Sequence, residues 1–304
     1  MKKTHSSFNP FQNNNANDLR RLHLNLNQYY HTLLFGNAKD NLTIDQKRAE
    51  YKKLETSWIN KEKQTCLKKY NCDREIKDVY RVELALREHA VSKHPLFEYL
   101  CYESTLTELK SFIQSEAILN FEFFDYLALA LIGVSDQAKA EIATNLWDEA
   151  GRGEIKKFHT SLFANLMADL GLSYDRAAII SKLSCEGLAG INLFSYCSLY
   201  PYNKMMYFGL LAATELLDPP HYKQLIYGMK RLFAGRKIDQ AYYIEHESLD
   251  VEHANGWLKK VILPELAIYP QKTRDFWLGF YLRLDSAKNY YDKMLQSLTQ
   301  EKAA

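Results

Sequence analysis

No apolar run in this 304-residue chain approaches the ~18 residues that a membrane span needs. The two longest candidates are "YLALALIGV" and "MMYFGLLAATELL", and the second carries an acid. The first twenty residues, "MKKTHSSFNPFQNNNANDLR", hold no apolar run either, so no secretory signal is expected. An excess of one charge is also lacking: 39 basic against 37 acidic side chains give a net +2. That balance gives no reason to expect nucleic acid or a membrane surface as partner. The five cysteines are odd in number and show no C-x-x-C spacing, so they read as reduced thiols rather than a disulfide framework or a zinc site. The expected location is the cytoplasm.

What is present is an ordinary globular composition, 47% apolar and 25% charged, with helical periodicity over most of the length. Strand-like alternation of useful length and internal repeats are both missing. Residues 1–17 are polar and Asn-rich and are expected to form a mobile, disordered tail. Residues 18–90 are expected to form an N-terminal helical extension. In it Leu19, Leu22, Leu26 and Tyr30 fall at helical spacing, and Thr43 with Gln46 has the form of a capping box opening a second helix. Residues 43–90 hold twelve basic and nine acidic residues, the pattern of a solvated outer hairpin or of a partner surface. Further helices are expected over 103–133, 136–150, 154–170, 174–186, 202–218, 220–233, 239–262 and 271–299. Gly187 and Gly190 should interrupt the chain, and Pro219–Pro220 should end one helix and open the next. The fold class is all-α, a helical bundle in one domain over 91–304 behind the extension.

The stretch "AYYIEHESLDVEHANGW", 241–257, carries two histidines and four acids. On a helix Asp250 lies ~40° from His246 and His253 ~20° to the other side, a narrow stripe ~10 Å long. Alone, the spacing suits either a metal or a polar surface stripe. Two other carboxylates sit where water is scarce. Glu116 shares a helix face with Phe112, Leu119 and Phe123, and Glu215 is the only charge between Met205 and Leu217. Such acids are paired, protonated or metal-bound, because an unpaired buried carboxylate costs several kcal/mol. Glu149 and His159 are ten residues apart, ~15 Å on an unbroken helix and too far for one ion. They converge only if the chain breaks between them, and Gly151 and Gly153 permit a break there. Four carboxylates and three histidines without a thiolate suit a pair of iron or manganese ions inside a bundle. Zinc would be expected with fewer carboxylates and four closed ligands.

The segments "FIQSEAILNFEFFDYLALAL", "NLWDEAGRGEIKKFHTSLFANLMADLGL", "GLLAATELL" and "YYIEHESLDVEHANGW" together resemble the haem-oxygenase-like di-iron oxidases and oxygenases, also described as iron-containing redox enzymes. The resemblance spans roughly 103–299 and implies a haem-oxygenase-like bundle that binds two non-haem irons instead of haem. By position it implies seven ligands, which would also be the catalytic residues: Glu116, Glu149, His159, Glu215, His246, Asp250 and His253. It also implies that O₂ is activated there to N-oxygenate an amine, cleave a C–C bond of an amino acid or decarboxylate a fatty acid. The expected partners are a small-molecule substrate, an external electron donor and a second copy in a homodimer. The resemblance leaves residues before about 90 unexplained. Arg152 is a candidate clamp for a substrate carboxylate or a surface residue of its turn, Tyr243 a candidate for substrate binding or for core packing, and Glu122 for an acid behind the ligands or a solvated one. A non-catalytic protein-binding bundle and an iron-storage bundle are the alternative readings.

Overall fold

A computed structural model describes residues 16–300 of the chain. Among them there are thirteen α-helices and no strand. The extension comprises α1 (Ala16–Phe35), α2 (Ala38–Lys69) and α3 (Val79–Glu88), followed by α4 (Pro95–Tyr102). The bundle then adds α5 (Leu106–Leu129), α6 (Asp136–Glu149), α7 (His159–Asp169), α8 (Arg176–Lys182) and α9 (Cys185–Leu199). It closes with α10 (Lys204–Leu232), α11 (Ala241–Gly256), α12 (Leu263–Ile268) and α13 (Thr273–Gln300). Of the expected tail, residues 1–15 lie outside the described residues.

Helix α10 is the axis of the bundle and packs on α13, α11 and α4. Its crossing with α13 needs two glycines. A Cβ at Gly209 would overlap the Phe276 carbonyl, and one at Gly279 would overlap the Met206 carbonyl. Glycine at both places lets the two backbones touch, which sets Arg283 of α13 beside Thr214 of α10. The α10 residues Phe208, Leu210, Leu211 and Leu217 are fully buried, so Glu215 has no route to bulk water along its own helix.

The extension shares this core. Leu22, Leu26, Tyr30 and Trp58 belong to one continuous cluster with the bundle, α1 lying on α9 and α2 on α13. The outer face of α2 is solvated, as its charge pattern suggests. His23 marks the seam: its ring sits edge-on to Trp58 and its carbonyl accepts from Asn192 of α9. Burial lowers the His23 imidazole to about 4, so it folds neutral. The unfolded chain, near 6.5, takes up the proton first, so the contribution of His23 is complete above about pH 6.5. It is lost as the pH falls toward 4, up to about 3 kcal/mol over that window. Urea midpoints measured across that range should drop more steeply for the wild type than for His23→Gln.

Several boundaries differ from the sequence reading. Helix α2 starts earlier, capped by Asn37, whose side chain accepts from the amides of Lys39 and Asp40; the Thr43 hydroxyl turns back to the Lys39 carbonyl and caps nothing. The expected interruption at Gly187 and Gly190 is absent, because Ser184 caps α9 and the helix runs through both glycines. Pro219–Pro220 does not divide α10 either. Proline's fixed φ is close to helical, and its cost lies in the missing N–H groups, which leave the carbonyls of Glu215 and Leu216 without their i+4 donors. Packing of α10 on both α11 and α13 holds the helix through that gap.

Candidate metal centre

Helix α6 ends at Glu149, and the chain then takes three successive left-handed residues, Gly151 (φ 62°), Arg152 (φ 54°) and Gly153 (φ 85°). One short 3₁₀ turn, Ile155–Lys157, follows, and α7 begins on His159 itself. The reversal brings His159 Nδ1 to 2.8 Å from Glu149 Oε2. From α11, His246 places its ring 4.3 Å from that of His159 and its Nε2 3.8 Å from Glu149 Oε1. The Tyr242 carbonyl, 2.7 Å from His246 Nδ1, takes the proton of that nitrogen and leaves the Nε2 lone pair facing the other two residues.

One turn further along α11 lies a second trio. His253 Nδ1 is 3.6 Å from Glu215 Oε2 and 4.0 Å from Asp250 Oδ1. In each trio, Glu149–His159–His246 and Glu215–Asp250–His253, one ligand atom per residue lies within 4.8 Å of the others, and all six residues are buried. These are two of the arrangements that divalent first-row ions accept: two imidazoles with one carboxylate, and two carboxylates with one imidazole.

The electrostatics show what is missing from such a set. Burial pushes the Asp250 carboxyl far above the usual range, and the neighbouring Glu215 adds to it. Glu215 is raised by burial against the pull of His253. Burial also works to raise Glu149, but His159, His246 and His253 outweigh it and hold it low. His246 is lowered to about 4, first by burial and then by His159. Burial works against a charge on His253 too, yet Glu215 and Asp148 at its two nitrogens lift it to about 9. Asp250 and Glu215 are thus pushed toward their protonated forms and His253 toward its imidazolium, and two divalent cations would offset the buried negative charge more fully. His159 Nδ1 meets Glu149 at 2.8 Å but out of hydrogen-bond alignment, and its Nε2 is buried with no hydrogen-bond partner, as an unused donor atom of a ligand would be. The residues fit the metal.

Of the seven ligands implied by the resemblance, Glu116 is set apart. It lines the same cavity as Glu149, Glu215, His246 and Asp250 but hydrogen-bonds to Tyr290 and belongs to neither trio. Tyr243 is buried on that cavity wall. Arg152 is not: its side chain is 60% exposed and its Nε donates to Asp148 Oδ1 at 2.7 Å, the surface position in the turn that is the alternative to a substrate clamp. The reason is local, since the left-handed turn directs Arg152 back along α6. Glu122 is neither solvated nor behind the ligands; it is buried and paired with Arg176 at 2.7 Å.

Asp148 is a residue that the sequence reading passed over. Its Oδ2 lies 3.3 Å from His253 Nε2 while its Oδ1 holds Arg152. It thereby steadies an imidazole whose other nitrogen faces Glu215 and Asp250, as carboxylates behind metal-bound histidines do. Asp148→Ala should weaken one bound ion about 10–100-fold and leave the ion of the other trio unaffected. Titration with Co(II), followed by its visible spectrum, separates the two events; equal weakening of both would mean that Asp148 does not orient His253.

The family model for iron-containing redox enzymes matches residues 110–288, well over half of the chain, and the chain belongs to that family. Two crystal structures of a CADD-like protein of unknown function from Nostoc punctiforme, at 2.00 and 1.35 Å resolution, share the fold. Their TM-scores are 0.57 and 0.56 at 16% and 15% identity. The alignments cover 72% and 73% of this chain and 96% and 94% of that one. No curated protein matches the chain. The all-α, haem-oxygenase-like bundle expected from the sequence is thus the fold, and the carboxylate–imidazole clusters are compatible with iron. Among the described residues no helix is long and apolar enough to cross a membrane.

Proposed function

We propose that this chain is a non-haem di-iron, O₂-dependent oxidoreductase acting on a small amine, amino acid or fatty acid, by N-oxygenation, oxidative C–C cleavage or decarboxylation. The observation that carries this reading is the pair of adjacent buried trios, drawn from α6, α7, α10 and α11. Glu149, His159 and His246 would hold one ion, and Glu215, Asp250 and His253 the other. Iron would supply the one-electron redox steps and the site at which O₂ is reduced. The chain itself contributes three things. The Tyr242 carbonyl and Asp148 fix the orientation of two imidazoles. Phe97, Phe112 and Phe123 give the cavity an apolar wall that excludes bulk water. The buried hydroxyls of Tyr222, Tyr242 and Tyr243 stay protonated beside the acids, because burial holds all three well above the usual phenol range. Glu116, at the cavity wall, is in reach of a role as further ligand or as substrate contact. An external electron donor and a homodimer belong to the same proposal.

The test is anaerobic loading with Fe(II), followed by exposure to O₂. About two irons per chain and O₂ consumption that depends on an added amine, amino acid or fatty acid are the expected results. A protein that takes up zinc but no iron, or one that oxidises Fe(II) with no substrate-dependent O₂ uptake, would overturn the reading.

A further inference from the structure

The cavity that the two trios line also holds ionisable groups that do not pair with one another; burial pushes the Asp218 carboxyl up to about 7, and Arg283 works against that rise. Arg283 of α13 is only 9% exposed. Its Nε donates to the Thr214 hydroxyl at 2.9 Å, and its other neighbour is the Tyr291 hydroxyl. Among the described residues no carboxylate oxygen comes within 4.0 Å of its guanidinium. Asp218, one turn beyond Glu215, accepts only from Tyr222 at 3.3 Å and likewise has no cation within that distance. Glu116 is held by Tyr290. The Tyr243 hydroxyl, fully buried on the same wall, has no hydrogen-bond partner.

A buried guanidinium bonded to neutral oxygens alone keeps its charge at a cost of several kcal/mol. The buried carboxylates Glu122 and Glu55 avoid that cost, each paired at 2.7 Å with a partly exposed cation, Arg176 and Lys52. Arg283 and Asp218 face one cavity, close enough to feel each other's charge, and still leave their strongest hydrogen-bonding positions open. A ligand bearing both signs would complete both. A fatty acid would leave Asp218 unmatched, and a simple amine would leave Arg283 unmatched.

We propose that Arg283 and Asp218 form an amino-acid subsite, with the carboxylate on the guanidinium, the ammonium on Asp218 beside Glu116, and an apolar side chain against Phe97, Phe112 and Phe123. This assignment rests on the reading of the trios as a metal centre, since it places the amino acid in the cavity they line. Arg283 and Asp218 are then the specificity-determining residues. The guanidinium fork suits a carboxylate in two parallel hydrogen bonds, which lysine does not reproduce.

The experiment uses the full chain loaded with Mn(II) and screens the proteinogenic L-amino acids by thermal shift, with calorimetry on those that bind. At least one should bind. Its amine analogue without the carboxylate, and its carboxylic acid analogue without the amine, should each bind about 10-fold or more weakly. Arg283→Gln that retains its manganese should lose a similar factor. The subsite is overturned if manganese is held and no amino acid binds, if an amine or a long-chain fatty acid binds as tightly as the best amino acid, or if Arg283→Gln binds it undiminished. A chain that takes up no metal yet binds an amino acid through Arg283 would keep the subsite and remove the metal-centre reading. The analogue comparison needs no variant, so the proposal stays testable if Arg283→Gln fails to fold.

Discussion

His246→Ala should halve the metal content of the protein, from about two ions per chain to about one, with the helical fold retained. The imidazole is buried, its Nδ1 is fixed by the Tyr242 carbonyl, and its Nε2 faces Glu149 and His159. Removing one of three protein ligands at that trio should weaken its ion at least about 100-fold. The second trio contains none of the altered atoms and should keep its ion. The fold should survive because the ring packs mainly against other residues of the cavity, Tyr242, Tyr222 and His159, and caps no helix. Metal analysis after dialysis, paired with far-UV circular dichroism, checks both halves. Unchanged metal content would remove His246 from the ligand set and weaken the case for the first trio.

The second large effect belongs to a residue with no side chain. Gly151→Ala should destabilise the protein by about 3 kcal/mol or more and cost it the ion bound by Glu149 and His159. The residue sits at φ 62°, where an added Cβ carries about 1–2 kcal/mol of strain. That Cβ would also overlap the Lys157 carbonyl carbon and come within 2.5 Å of the Phe158 amide nitrogen. Those are backbone atoms, so the segment leading into His159 has to move. Gly171→Ala is the matched control: it has a similar φ of 68° with nothing within 4 Å of the added atom, so it should lose only the conformational part. Urea midpoints and metal content of the two variants, measured side by side, separate strain from displacement. Equal losses would show that the Lys157 contact is immaterial.

The parts legible in the sequence are those governed by helical spacing. His246, Asp250 and His253 fall on one stripe because they are one and two turns apart, and the structure buries all three. Glu215 stands out as a lone charge in an apolar run. Arg283 is the only charge in "FWLGFYLRL" and passes the same test, so its signal was available. Asp148 was not legible in this way, because a residue behind a ligand is chosen by distance across helices rather than by spacing along one. The convergence of Glu149 and His159 was legible only as something the glycines allowed; the three left-handed residues that accomplish it include Arg152, which no composition rule would pick. The helix boundaries failed where tertiary packing overrode local preference, at Gly187, Gly190 and the Pro219–Pro220 pair.

That proline pair has a consequence for how α10 opens. Without two amide hydrogens just after Glu215, the helix lacks the cooperative link that normally makes one segment exchange as a unit. The half that carries Glu215 and the half that runs to Leu232 should therefore take up deuterium at separate rates. Filling the second trio should slow the first half and leave the second almost as it was.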